Sequence, residues 1–457
     1  MRIDAQLRPV DLLPLTKNFF ALSAKKILDI EKTWDSARGT PVFTVNGKYT
    51  SRGWTEWTQG FQYGCQILQF EATGDKKFLE LGKRNTILRM APHVSHIGVH
   101  DHGFNNVSTY GNLRRLARAG RYKAAQTEID TYELALKLSG AIQAARWTKT
   151  NDGTGFIHSF NGPHSLFSDT IRSLRALAMG HVLGHALMAE CDEKVSLLKR
   201  LVEHLDNTLK YNVYYGEGRD TWDLPGRVVH ESIFNTKDGR YRCPSTQQGY
   251  APFSTWTRGL AWVLTGCAEQ LEFLPTLPES EFKQIGVNRA ALIKRVERGA
   301  RATGDFLIQY TCADGIPMWD TGAPGLVNLP HLYERNSQPK NEHEPVDSSA
   351  ACIAAQGYLR LGNYFAKRDA KSAAKYKQAG LTMARTLFQP PYLSDDVKHQ
   401  GLVLHSIYHR PNGWDHQPDP RLAPHGESSL WGDYHAMELA LMVQTLAKGK
   451  RCFHFFD

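Results

Sequence analysis

Apolar residues recur along this chain at the three-and-four spacing of a helix face, and alternating β-branched runs are few. Twelve segments read as helices: 14–32, 56–73, 76–92, 103–119, 123–143, 170–190, 193–212, 255–273, 283–308, 348–365, 370–388 and 430–448. From the fourth onward they fall into two kinds. Residues 193–212 set Glu193, Lys194, Lys199, Arg200, Glu203, Asp206 and Lys210 against a face of leucines and valines, and 123–143 and 283–308 repeat the pattern. Such helices lie at a surface with one apolar stripe inward. The even-numbered segments are apolar nearly all round. Residues 348–365 carry only Arg360, and 430–447 only Asp433 and Glu438. A helix of that composition is buried on every side. Small residues such as Ser348 to Ala351 allow close approach. Alternation of amphipathic and buried helices predicts two concentric rings, an all-α (α/α)6 barrel, with residues 1–457 as one domain. An irregular bundle or solenoid would share the amphipathic helices but not the burial of every second one.

The long connections, 144–166, 213–252, 311–345 and 389–428, each lead into an even-numbered helix. The polar and aromatic residues cluster where these helices begin: Trp57, His100-Asp101-His102-Gly103-Phe104, Ser168-Asp169, Trp256 to Trp262, Asp347-Ser348-Ser349, and Ser428-Ser429 before Trp431-Gly432-Asp433-Tyr434. In a ring of helical hairpins all inner helices point the same way, so these starts meet at one mouth. Helix N-termini there favour an anion. Aromatics beside polar groups suit the two faces of a sugar. Asp101 and Asp169 would face each other across the mouth, as acid–base chemistry on a glycosidic or vinyl-ether bond requires. Asp is also a favoured N-cap, and each residue alone fits that plainer role.

Composition narrows the field further. The net charge of +9 is spread along the chain, with no basic stretch interleaved with aromatics, so nucleic acid is not an expected partner. No apolar run is long enough to cross a membrane. Seven scattered cysteines without a C-x-x-C pair suit reduced thiols and a cytoplasmic location. The histidines at 93, 96, 100 and 102 lack the spacing of a zinc helix, so no metal is expected. No phosphate loop, dinucleotide fingerprint or nucleophile elbow is present, so neither a cofactor nor a serine hydrolase is expected.

The stretches WTQGFQYGCQILQFEATGD (57–75), HDHGF (100–104), QGYAPFSTWTRGLAW (248–262), DSSAACIAAQGYLRL (347–361) and ESSLWGDYHAMELAL (427–441), in that order, resemble the unsaturated glucuronyl hydrolases, glycoside hydrolase family 88. The resemblance implies a one-domain (α/α)6 barrel acting on the 4,5-unsaturated uronic acid that lyases leave at a non-reducing end. An acid protonates C4, water adds at C5, and the hemiketal collapses to release the next sugar. It implies Asp169 as general acid/base and Asp101 as the second catalytic carboxylate. Trp57, His100, His230, Gln248, Arg258 and Trp262 become substrate contacts, with Arg258 as a carboxylate clamp. Ser428 and Ser429 become subsite linings. A structural salt bridge for Arg258, core packing for Trp57 and Trp262, and helix capping for the serines remain open. The expected partner is an unsaturated uronate-containing di- or oligosaccharide, met by a monomer or weak homo-oligomer. The alternatives are an unsaturated rhamnogalacturonyl or galacturonyl hydrolase, a polysaccharide lyase, and a non-catalytic uronate-binding protein on the same barrel.

Overall fold

The computed structural model describes residues 1–53 and 56–457. Twelve long helices form the body: α1 (Leu13–Thr33), α2 (Gln59–Thr73), α3 (Lys76–Arg89), α4 (102–118), α5 (Gln126–Ala145), α6 (Thr170–Val182), α7 (Leu197–Tyr211), α8 (Thr257–Phe273), α9 (Arg289–Gln309), α10 (Ser348–Phe365), α11 (Ala370–Leu387) and α12 (Leu430–Ala447). The even-numbered helices pack each on the next, and α12 returns to α2, so the inner ring closes. The odd-numbered helices sit outside, antiparallel neighbours in helical hairpins. The fold is an (α/α)6 barrel.

The burial expected from composition is present. In α10 nearly every residue from Ser348 to Phe365 is buried, whereas α7 buries Leu197, Leu198, Leu201, Val202, Leu205 and Leu209 and leaves its charges outside. Glycines set the tightest approaches at the mouth. A Cβ on Gly60 would lie 2.3 Å from the Asn105 carbonyl oxygen, and one on Gly103 would lie 2.5 Å from Ser173 Cα. No side chain fits at either place, so the starts of α2, α4 and α6 touch backbone to backbone.

Two segments differ from the sequence expectation. The helix expected over 170–190 stops at Val182, because Gly184 turns the chain at φ +74° and Leu187–Met188 pairs with Lys194–Val195 in a hairpin. Within α4, residues Val107–Gly111 form a widened π turn between the α-helical segments His102–Asn106 and Asn112–Arg118. The long connections also hold short strands. The three that matter for the site are β1 (Ser165–Phe167), β2 (Glu231–Phe234) and β3 (Tyr241–Ser245), an antiparallel sheet with β2 in the middle. Phe167 pairs with Glu231, and just beyond the pairing Ser168 N donates to the His230 carbonyl at 2.8 Å. That register brings His230 beside Asp169.

Candidate active site

The starts of the inner helices surround a cavity of about 560 Å³ lined by residues that include Trp57, His100, Asp101, Asp169, Gln248, Arg258 and Trp262. These seven sequence-expected residues therefore converge. Asp101 and Asp169 occupy the N-cap positions of α4 and α6, yet neither carboxylate accepts a hydrogen bond from its own helix. Capping does not account for them. By contrast, the Asp347 side chain caps α10 through Ser349 N and Ala350 N. Both free carboxylates meet one imidazole: His100 Nε2 lies 3.8 Å from Asp101 Oδ1 and 3.7 Å from Asp169 Oδ2. These are ion-pair rather than hydrogen-bond distances. Phe160 stacks on the His100 ring and Phe167 meets it edge-on, which fixes the imidazole between the acids.

Burial raises both carboxyls, and their contacts with the histidines separate them. For Asp101, burial is the main cause of a raised pKa, and the charge of Asp169 adds to it against the pull of His100. For Asp169, burial also pushes upward, but contact with His100 and the nearby His230 outweigh it, and its pKa is lowered. Burial disfavours a charge on His100, yet the two acids win and its pKa is raised. In the free site Asp101 therefore holds its proton more firmly than Asp169.

His230 is the third functional group on this side. Its Nδ1 accepts from Gln247 N at 3.0 Å and Gln248 N at 3.3 Å. The ring proton therefore resides on Nε2, which has no partner within the chain. Burial lowers its pKa to about 4, so it is a neutral donor. Buried polar atoms normally find partners. Here His230 Nε2, Asp169 Oδ1, both His100 nitrogens and Gln247 Oε1 lack any within the described residues. A polar ligand meets unused donors and acceptors.

Three expectations need correction. Arg258 is 1% exposed, and its guanidinium is taken up by the protein. Nη1 pairs with Asp347 at 3.3 Å and donates to the Ile407 carbonyl, while Nη2 donates to Gln248 Oε1 at 2.8 Å and the Tyr408 carbonyl at 2.7 Å. The Trp256 and Trp431 rings flank it. It is a structural hub in the cavity wall, with its guanidinium already engaged by the protein, rather than an open carboxylate clamp. Ser428 and Ser429 do not line the cavity. Ser428 Oγ donates to Asp433 at 2.8 Å, and Ser429 caps α12 through Gly432 N. Both sit in the polar seam that seals the ring.

Trp57 is half-buried, facing the cavity with its ring near Trp431, Phe61 and Phe104. Trp262 forms part of the floor against Phe104 and His435. Sequence reading missed Phe160, Gln247, Tyr408 and His409, all cavity-lining. Asp415 fixes the last two by accepting from Tyr408 N and from His409 N at 3.1 Å. The remaining histidines of the 93–102 run serve packing. His93 contacts Gln59 at 2.6 Å, and His102 contacts the His96 carbonyl at 2.8 Å and Ser139 at 3.1 Å.

Comparison with known proteins places the chain in a family and a fold. A family model described as Glycosyl Hydrolase Family 88 matches residues 35–316. An unsaturated chondroitin disaccharide hydrolase of Streptococcus agalactiae is 23% identical over 406 residues, covering 87% of this chain and 84% of that protein. An unsaturated glucuronyl hydrolase of Bacillus sp. GL1 is 25% identical over 406 residues, covering 88% and 90%. The crystal structure of an unsaturated glucuronyl hydrolase from Bacillus sp. GL1 superposes with a TM-score of 0.67 at 20% identity, covering 93% of this chain and 95% of that one. The match to the family model spans well over half of the sequence, and the chain belongs to Glycosyl Hydrolase Family 88.

Proposed function

We propose that this glycoside hydrolase removes a 4,5-unsaturated uronic acid from the non-reducing end of lyase-generated oligosaccharides, by hydration of the C4=C5 vinyl ether. The observation that carries the reading is the pair of buried carboxyls, their pKa values shifted in opposite directions, that leave their helix ends uncapped to meet at His100. Hydration needs one proton delivered to C4 and one taken from the water that adds at C5. A pair sharing a single proton can do both, and no covalent glycosyl-enzyme is required. The names of the relatives support the same activity.

The family resemblance assigns the acid/base role to Asp169, while in the free site burial raises the pKa of Asp101 and contact with His100 lowers that of Asp169. The two statements are compatible. A uronate carboxylate entering the cavity adds a negative charge and displaces water, and both effects raise the pKa of the ionised acid. Substrate binding therefore draws a proton toward Asp169, with the His100 ring facing both acids. His230 Nε2 donates to the sugar, and Trp57 and Trp262 offer apolar surface to its ring.

A cytoplasmic location is part of the same proposal, supported by seven free cysteines, of which Cys191 and Cys243 are exposed.

The test is incubation of the purified protein with an unsaturated glycosaminoglycan disaccharide while the absorbance of the conjugated uronate is followed. The absorbance falls, and Asp169→Asn binds the disaccharide without consuming it. A rise in absorbance on an intact uronate polysaccharide would identify a lyase instead, and binding of the disaccharide by the wild type without change would identify a sugar-binding protein.

A further inference from the structure

His100 stands between the two acids without a hydrogen bond to hold it. Neither ring nitrogen has a partner among the described residues. Its orientation rests on the rings of Phe160 and Phe167 and on the main chain that carries it. That main chain is itself sparsely held. Residues 96–100 make no main-chain to main-chain hydrogen bond among the described residues. Two side chains tie the segment down: His102, on the His96 carbonyl at 2.8 Å, and Arg146, on the Ile97 carbonyl at 2.7 Å.

Arg146 directly follows α5, at its C-cap. A basic side chain in that place commonly bonds the last carbonyls of its own helix. The Arg146 guanidinium instead reaches two other segments. Nη1 takes the Ile97 carbonyl, three residues before His100. Nε and Nη2 take the carbonyls of His158 at 2.7 Å and Ser159 at 2.5 Å, directly before Phe160. The Arg146 carbonyl also accepts from His158 N at 3.3 Å, so main chain and side chain grip the second segment together.

Resting on the function proposed above, we infer that Arg146 is a positioning residue for the reaction: by clasping the segment that carries His100 to the segment that carries Phe160, it seats the imidazole between Asp101 and Asp169. A guanidinium suits the task because its donors form a rigid planar fork. Phe160 stacks on the imidazole from the second segment, and the ring so held is the one that both acids face. The charge of Arg146 bears on the same residues. It draws the pKa of Asp101 down against burial and Asp169, and that of His100 down against the two acids.

The test is steady-state kinetics on an unsaturated disaccharide with Arg146→Lys and Phe160→Leu, apart and together. Lysine keeps the charge but offers one nitrogen where the guanidinium offers three. Arg146→Lys is expected to lower kcat by about tenfold or more, since a misplacement of 1 Å costs about 100-fold. KM stays within about threefold, because Arg146 does not line the cavity. Phe160→Leu leaves Arg146 in place and lowers kcat in the same sense. The double variant loses less than the product of the two losses, because both act on one ring. An arginine that only stabilised the fold would lower Tm and leave the kcat of the folded enzyme alone. Wild-type kcat in Arg146→Lys, a loss confined to KM, or losses that multiply overturn the role and leave the proposed function standing. Should Arg146→Lys fail to fold, Phe160→Leu decides alone, and an unchanged kcat there overturns the role. If the wild type consumes no disaccharide, the function falls and this role falls with it.

Discussion

Gly103 offers the sharpest test of how the fold makes the site. Its ideal Cβ would sit 2.5 Å from Ser173 Cα and 2.6 Å from the Ser173 carbonyl oxygen. Carbon atoms rest at about 3.5–4.0 Å, so an alanine here forces α4 and α6 apart by about 1 Å. Asp101 lies two residues before Gly103, and Asp169 begins the opposed helix. The separation therefore acts directly on the two carboxyls and on the His100 contacts at 3.7 and 3.8 Å. Misplacement of reacting groups by that distance costs about 100-fold in rate. Overpacking costs about 1–3 kcal/mol of stability. Gly103→Ala is thus expected to fold with a lowered Tm and to lose about two orders of magnitude in kcat, followed by absorbance loss of an unsaturated disaccharide. Because the obstructing atoms are backbone, trimming Ser173 to Gly in the same protein does not restore activity. A Gly103→Ala enzyme with near wild-type kcat would refute the claim that the approach of these two helices sets the carboxyl geometry.

Further outcomes follow from the electrostatics. His100 titrates between two acids that both raise its pKa, so its imidazole pKa, read by NMR, moves down in both Asp101→Asn and Asp169→Asn; an unchanged value would separate it from the pair. Arg258→Met leaves Asp347 buried and charged without its partner, a loss of about 3–5 kcal/mol by denaturant unfolding, whereas a residue that only held substrate would leave stability untouched. Ser428→Ala removes one hydrogen bond to Asp433 and is expected to cost about 1 kcal/mol with kcat unaltered. Burial holds His93 and His102 down to about 4 and His204 and His405 down to about 3. A depressed folded value means their contribution is complete above the unfolded value of about 6.5 and is lost as pH falls toward 4 and below. Tm should drop steeply across that acid range, and a flat profile would contradict the burial of neutral imidazoles.

The twelve helices and their two rings were legible because burial leaves a compositional mark. A helix such as α10 has no polar face to hide, and one such as α7 has no second apolar face. Asp101, Asp169 and His100 were legible because they stand at the starts of inner helices, whereas His230 and Gln248 were legible only through the family resemblance. What escaped was set by tertiary pairing. Nothing local distinguishes Arg258 gripping the Tyr408 carbonyl from Arg258 gripping a substrate, since the acceptors lie some 150 positions away in sequence. Phe160, Tyr408 and His409 sit on connections without a period to read. The end of α6 at Val182 depended on Gly184, a residue that can continue a helix or stop one according to what the next strand pairs with.

The engagement of Arg258 with the carbonyls of Ile407 and Tyr408 bears on how such an enzyme diversifies. The wall opposite the acids is made of loop, the part of a barrel in which insertions are most easily accommodated. Here that loop is moored to the heads of two ring helices, by Arg258 on the carbonyls of Ile407 and Tyr408 and by the Ser348 N–H on the His405 carbonyl. New leaving-group preferences should therefore come from exchanging side chains at positions 408 and 409 on a fixed frame. Lengthening the loop would cast off the mooring and carry Gln248 with it.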